Sequence, residues 1–333
     1  MKKKELIRCL AFLLLSALLL TAAALVFDRK YACDYFTRVR GFYNEPEDSM
    51  DVMFYGTSHM YCTVSPLALW KDSGLHSYVL ATQQQPLLAT YYYMKESLEH
   101  QSPKLMVLEL LGACSTADTA TEAVFRDCLD PLPWSRNKIE LIQELVPRGQ
   151  RSSYYFNFLK YHSRWKELSS LDLDFSYRNS TDSCKGYIYL TPARPSQSRA
   201  LDYSQVEARP IPRENISILL DMKALAEEHG ARLAFIIAPY EDAGLDAGIY
   251  KSLHQFALEQ DIPLLDFNQI YDQAGFDGDL DFFDSNHLNS SGASKATARL
   301  ADWLEVNFEL EAGPSVDEAR WQALCEELYS PKD

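Results

Sequence analysis

Three residues far apart in the chain have the types that acyl chemistry requires. Asp284 and His287 stand three apart in Asp284-Ser285-Asn286-His287-Leu288-Asn289, and Ser58 follows Gly56-Thr57 near the other end. A serine hydroxyl is a weak nucleophile until an imidazole takes its proton, and that imidazole needs a carboxylate to fix its tautomer. With Asp three residues before His, one turn can supply both base and orienting carboxylate. Only the serine must then come from elsewhere. Gly56 permits a tight turn after an apolar run, which would set Ser58 on an exposed strand-to-helix corner. This is not the GxSxG elbow, because position 60 is Met. Each half also has a plainer meaning: Ser58 as a helix cap, and residues 284–289 as a polar loop entering a helix. Their shared position at the carboxyl ends of strands is what makes the pair informative.

The elements that must position these residues alternate. Asp51–Tyr55, Ser77–Ala81, Leu105–Leu110, Arg232–Pro239 and Pro263–Phe267 are short apolar runs that predict buried strands. Helical spacing covers Pro86–His100, Glu214–His229 (closed by Gly230), Leu253–Gln260 and Ser290–Leu304, the last capped by Asn289 or Ser290. Nearly all-apolar strands alternating with helices predict an α/β fold, a parallel sheet covered on both faces. Ligands of such sheets bind beyond the carboxyl ends of the strands. That rule directs attention to Gly56–Ser58, Thr82–Gln85, Leu111–Cys114, Pro239–Glu241 and the loop after Phe267. Residues 115–212 are aromatic, polar and broken by prolines, and predict a helical and irregular insertion over that edge, with helices at Ser135–Leu145 and Tyr154–Leu168.

Residues 9–27 are an uncharged apolar run of about the length that crosses ~30 Å of hydrocarbon. Lys2, Lys3, Lys4 and Arg8 precede it, so the positive-inside rule leaves the N-terminus in the cytoplasm and exports the chain beyond Arg29. Cleavage at Ala22-Ala23-Ala24 is the competing expectation, but the run continues through Leu25-Val26-Phe27, as an uncleaved anchor would. The expected division is an anchor over residues 1–30, an α/β domain over 31–312 and an amphipathic C-terminal helix within 313–333. The net charge is −15, with about +4 in residues 1–30 and −19 beyond them, which argues against a nucleic-acid partner. Seven scattered cysteines form no metal spacing, and HExxH, Walker A and GxGxxG patterns are absent, so no metal or cofactor is expected. Buried free thiols are the expected state of the cysteines.

Gly56-Thr57-Ser58-His59 and Asp284-Ser285-Asn286-His287, continued by Leu288-Asn289 and Gly292-Ala293, resemble two blocks of the SGNH, or GDSL-type, hydrolase superfamily. Its members carry the nucleophilic Ser just after the first strand and Asp-x-x-His just before the last helix. The resemblance covers Met50–Leu111 and Glu214–Val306. It implies a three-layer αβα, flavodoxin-like domain with Ser58, Asp284 and His287 as catalytic residues. The anchor and insertion resemble the branch that O-acylates surface polysaccharides or teichoic acids, including alginate acetylation proteins and the D-alanyl transfer protein. That closer likeness implies an envelope glycan or teichoic acid acceptor and a multi-span membrane acyltransferase as partner. Two blocks depart from the family. The second is Ala81-Thr82-Gln83-Gln84-Gln85 without the usual Gly, and the third, Glu109-Leu110-Leu111-Gly112-Ala113, has no Asn. The oxyanion donors must then be rebuilt, and the expected ones are the Ser58 N–H with Thr82 and Gln84.

His59, His162, Arg164 and Trp165 complete the candidates, as substrate-binding residues; the interleaved aromatics and Arg164 would suit sugar stacking. Packing beside the nucleophile turn is the plainer role for His59, and a surface helix held by Trp165 the plainer role for the other three. Two functions remain in view: an exported acyl-ester enzyme, transferase or esterase, and a non-catalytic envelope protein that uses the same cleft to bind glycan.

Overall fold

Each of the five apolar runs forms a strand, and together they make one parallel sheet. The computed structural model describes residues 3–27, 34–176, 179–313 and 317–329. Helix α1 (Lys3–Phe27) has no buried residue, is half-buried only at Ser16 and over its last five residues, and is long and apolar enough to cross a membrane. Lys2, Arg29, Lys30 and Cys33 lie outside the described residues. Helix α2 (Asp34–Phe42) leads to β1 (Val52–Gly56), α3 (Ser58–Thr63), α4 (Pro66–Ser73), β2 (Ser77–Ala81), α5 (Leu87–Leu98) and β3 (Leu105–Glu109). Next come α6 (Glu122–Leu129), α7 (Arg136–Leu145), α8 (Ser152–Tyr155) and α9 (Phe158–Tyr161). The second half runs α10 (Arg213–Glu228), β4 (Arg232–Ile237), α11 (Ala243–Glu259), β5 (Leu264–Asp266), α12 (Tyr271–Ala274), α13 (Ser290–Asn307) and α14 (Glu318–Tyr329).

The strand order is β2-β1-β3-β4-β5, with every pair parallel. Alternate residues of each strand enter different cores, because side chains on a strand point to opposite faces. Met53, Tyr55, Met106, Leu108, Phe235 and Ile237 pack with α5, α7, α10 and α11. Val52, Phe54, Leu105, Val107, Ala234 and Ile236 pack with α3, α4, α12 and α13. The chain leaves β1 for one neighbour and reaches its other neighbour from β2, so the order reverses between β1 and β3. The crevice of such a fold lies at that reversal.

Two expected helices differ from the structure. The one over Leu253–Gln260 starts ten residues earlier, at Ala243, in the loop after β4. The one over Tyr154–Leu168 is broken into α8, α9 and a 3-10 turn at His162–Lys166. Its large apolar side chains Phe156, Leu159 and Trp165 are exposed and only Tyr154 and Tyr161 are buried, too narrow a stripe to hold a continuous helix together. Residues 185–201 of the insertion run as an extended strap. Val79 N–H donates to the Lys185 carbonyl, Ile188 N–H to that of Tyr61, Arg194 N–H to that of Phe282 and Leu201 N–H to that of Asn268. The strap thereby joins the β2 edge to the loop before α13. Cys9, Cys62, Cys114, Cys128, Cys184 and Cys325 are all free, and Cys62, Cys128 and Cys325 are buried.

Candidate active site

The end of β1 is built with no slack. Gly56 has φ 151°, and a Cβ there would stand 2.7 Å from the Glu109 Cβ, so only glycine fits. Thr57 caps α3: its hydroxyl oxygen accepts from the His59 N–H at 3.2 Å and its carbonyl from the Met60 N–H at 3.1 Å. The Thr57 hydroxyl donates to Glu109 Oε2 at 2.9 Å, and the Leu111 N–H donates to Glu109 Oε1 at 2.7 Å. Burial raises the Glu109 carboxyl to about 7, against the pull of those Leu111 and Thr57 bonds. Ser58 is the first residue of α3, so its N–H has no partner within the helix, and no acceptor for it stands among the described residues.

The other half comes from the loop between β5 and α13. Phe282 and Leu288 form an isolated antiparallel bridge, and the Phe283 N–H donates to the His287 carbonyl at 2.8 Å. Asn289 caps α13 by accepting from the Ser291 and Gly292 N–H groups. Within this loop Asp284 Oδ1 accepts from the Asn286 and His287 N–H groups at 2.8 and 2.9 Å. The same carboxylate meets His287 Nδ1 at 2.9 and 3.0 Å. Burial pushes the Asp284 carboxyl up, but the bonds from His287 and the Asn286 N–H outweigh it and hold it below the usual aspartate range.

His287 Nε2 lies 2.8 Å from Ser58 Oγ. An ionised carboxylate can only accept, so His287 Nδ1 donates to Asp284 and Nε2 is left to accept from the Ser58 hydroxyl. Ser58, His287 and Asp284 thus form one hydrogen-bonded chain across 229 residues of sequence. This arrangement can move a proton off Ser58 as its oxygen attacks a carbonyl.

The other candidates separate. His59 is buried behind the nucleophile turn, its ring 4.6 Å from that of Tyr240 and 5.7 Å from that of His287. Burial pushes its imidazole down to about 3, so it is neutral and not paired with Glu109, whose Oε1 is 4.0 Å away. Its place is structural support, not the expected contact with substrate. The Thr82 side chain is also buried, with its hydroxyl on Gln85 Oε1 at 3.0 Å and Cys128 Sγ at 3.2 Å, so it is not a free oxyanion donor. Gln84 is exposed, with φ 50°, and lines a cavity of about 340 Å³ together with Thr57, Gly112, Cys114, Val124 and Asp246. His162, Arg164 and Trp165 do not line it; they lie by the end of α1, where Arg164 donates to the Phe27 carbonyl. That placement departs from the acceptor groove expected of them.

Three neighbours of Ser58 have weaker signals in the sequence. Glu109 is the one acidic residue of an apolar strand, which marks the sheet's reactive edge. Gly112 sits so close behind Thr57 that a Cβ would meet the Gln85 carbonyl at 3.0 Å, and its N–H has no acceptor among the described residues. Tyr61, one turn on from Ser58 in α3, is buried with the Arg38 guanidinium 4.2 Å above its ring. Burial pushes its phenol up to about 12, so it stays an O–H donor at neutral pH. Among the described residues no group of His, Cys, Asp and Glu could hold a metal ion.

No family model matches the sequence, and no curated protein matches it. Among solved structures, a candidate acylhydrolase from Bacteroides fragilis aligns over 89% of this chain and 99% of its own, at 12% identity and a TM-score of 0.36. A likeness at that score carries no weight for chemistry. The geometry of Ser58, His287 and Asp284 has to carry the functional reading alone.

Proposed function

We propose that this chain is an extracytoplasmic, membrane-anchored serine acyl-ester enzyme of SGNH type. It acts on a cell-envelope polysaccharide or teichoic acid, as O-acyltransferase or esterase, through an acyl-Ser58 intermediate. The observation that carries the reading is the unbroken chain from Ser58 Oγ through His287 to Asp284, at the carboxyl edge of a parallel sheet.

In the first half-reaction Ser58 Oγ attacks the acyl carbonyl carbon while His287 Nε2 takes its proton, and Asp284 holds the imidazolium. The carbonyl oxygen becomes an oxyanion, met by the Ser58 N–H and the Gly112 N–H, with the Gln84 amide at the cavity rim. This pair replaces the family's Gly and Asn donors, and such donors are worth ~10²–10³ in rate each. His287 then gives its proton to the leaving oxygen. In the second half, an acceptor hydroxyl or water gives its proton to His287 and attacks the acyl carbon, and as the bond from that carbon to Ser58 Oγ breaks, His287 returns the proton to Oγ. The acceptor enters from the cavity beside Thr57 and Gly112. In the transferase form, acyl groups reach Ser58 from a multi-span acyltransferase in the same membrane.

The test is labelling of the full chain in detergent with a fluorophosphonate, followed by peptide mapping. Adduct on Ser58, lost in Ser58→Ala and in His287→Ala, is the expected result. An unlabelled but folded chain that retains glycan would instead support the non-catalytic binding role.

A further inference from the structure

Among the described residues, twelve large apolar side chains outside α1 are exposed, and five of them fall within eighteen residues: Phe156, Leu159, Trp165, Leu171 and Leu173. The remaining seven are scattered between Trp134 and Val306. Single exposed apolar residues need no explanation, but a cluster does.

The cluster surrounds the end of α1. The Phe27 ring meets the Phe158 ring edge-on with centroids 5.3 Å apart. The Arg164 guanidinium donates to the Phe27 carbonyl, one of the acceptors a helix end leaves open, and also to Asp172 Oδ1 at 2.9 Å. Residues 9–27 rise ~1.5 Å each and so cover ~28 Å, close to the ~30 Å of a hydrocarbon layer. In a spanning α1, Phe27 therefore stands at the outer edge of the hydrocarbon. Whatever touches Phe27 stands at headgroup depth.

The composition suits that depth. Lys166 Nζ lies 5.0 Å from the centroid of the Trp165 ring, and Lys160 and Arg164 are interleaved with the apolar side chains. Tryptophan beside lysine and arginine is the pairing that interfacial segments use: the ring sits among headgroups and the cation reaches water or phosphate. The cluster is also fixed to the domain. Arg126 of α6 donates to the Ser153 carbonyl and to Asn157 Oδ1, and lies 3.7 Å from the centroid of the Tyr154 ring.

We propose that Phe156, Leu159, Trp165, Leu171 and Leu173 form an apolar foot that rests on a lipid surface, in the headgroup layer beside the exit of α1. The proposal rests on the reading of α1 as a spanning anchor. The irregular half of the insertion then serves to hold the domain at a set tilt. Helix α6 carries both Arg126, which grips the foot, and Val124, which lines the cavity beside Thr57 and Gly112. The foot therefore sets the height of the cleft above the bilayer.

The experiment uses the full chain in phosphatidylcholine nanodiscs, with and without lipid brominated near the headgroup end of its tails. Trp165 and Trp134 are similarly exposed, at 64% and 60%, so each controls for the other. Brominated lipid is expected to quench tryptophan emission; Trp165→Phe should remove most of that loss, and Trp134→Phe should leave it in place. Quenching unchanged in Trp165→Phe, in a chain that resists alkaline extraction, overturns the foot alone and assigns the patch to a protein partner. A chain that alkaline extraction releases from the bilayer overturns the anchor and the foot with it.

Discussion

The two halves of the candidate site are built by opposite means. Ser58 is held by long-range structure: β1 and β3 must pair in register for Glu109 to stand under Thr57, 52 residues away, and for Gly56 to clear it. Asp284 and His287 are oriented within their own loop, through Asx-type bonds from two adjacent N–H groups and one bridge, and that loop is tied to the domain by the Arg194 N–H on the Phe282 carbonyl and the Glu241 N–H on the Ser285 carbonyl. The serine side is buried and cannot change without moving the sheet. The base side is half-exposed and can lose a side chain without disturbing its neighbours. A nucleophile placed by tertiary packing and a base placed by local turn chemistry should therefore fail differently when altered.

The largest expected effect falls on the base side, in activity alone. His287→Ala should lower kcat for an ester by ~10⁶, in line with loss of the His of such a triad. Its urea midpoint should stay close to that of the parent chain, because the ring is about a quarter exposed and belongs to a surface loop rather than to either core cluster. A collapse of stability alongside activity would show that the loop is not self-supporting.

On the serine side the expected loss is in stability. Gly56→Ala would force a Cβ into Glu109 at a φ that L-residues rarely adopt, at a cost of ~3 kcal/mol or more. A shift in the urea midpoint without change of slope measures it. If Gly56→Ala left stability intact and removed only activity, the contrast between the two halves would be broken.

Glu109 sharpens the contrast through pH. Its folded-state value is raised from the ordinary 4.5 to about 7, so the fold favours the protonated form. The associated stability is fully present below about 4.5 and is lost as pH rises through about 7, by ~3 kcal/mol in all. Glu109→Gln removes the titration, at a constant cost of ~1 kcal/mol for an unaccepted N–H. The stability of the parent chain relative to this variant should therefore fall between pH 5 and pH 8 (about the titration range), as read from urea midpoints. Asp284 titrates the other way: its depressed value contributes stability above the usual aspartate range, lost as pH falls through the depressed value. Equal pH slopes for the parent chain and Glu109→Gln would show that Glu109 is ionised throughout.

The same contrast governs what can be read from sequence. The strands are legible because a parallel strand buried on both faces is a short, nearly all-apolar run. Asp284 and His287 are legible as a pair because their geometry is local, three residues apart. Ser58 is legible only through the strand before it. Glu109 stands out in sequence only as the acid of an apolar strand, and its relation to Thr57 and Ser58, like that of Gly112, exists only once β1 and β3 are side by side; Tyr61 is local, one turn on from Ser58 in α3, but its type does not mark it as a site residue. Sequence places Thr82 on the oxyanion side, but its hydroxyl turns inward to Gln85; local sequence does not fix which way a loop side chain points. The aromatic stretch at Tyr154–Trp165 has a helix-like composition, yet only Tyr154 and Tyr161 are buried, while Phe156, Leu159 and Trp165 face outward.

The smallest effect is expected there. His162 is, by sequence, a candidate for contact with substrate, as are its neighbours Arg164 and Trp165. In the structure its ring is exposed, with Nδ1 3.0 Å from the Leu159 carbonyl and its centroid 6.0 Å from that of Phe158. Neither Leu159 nor Phe158 lines the cavity beside Thr57 and Gly112. His162→Ala should change kcat/KM for a small soluble ester by no more than about twofold, and stability by less than ~0.5 kcal/mol. A large fall in kcat with KM unchanged would mean that residues 154–173 reach the reacting atoms, which would return them to the acceptor groove expected from their composition. An effect confined to bilayer-bound chain, absent in detergent with the same ester, would instead tie His162 to the apolar segment at the end of α1.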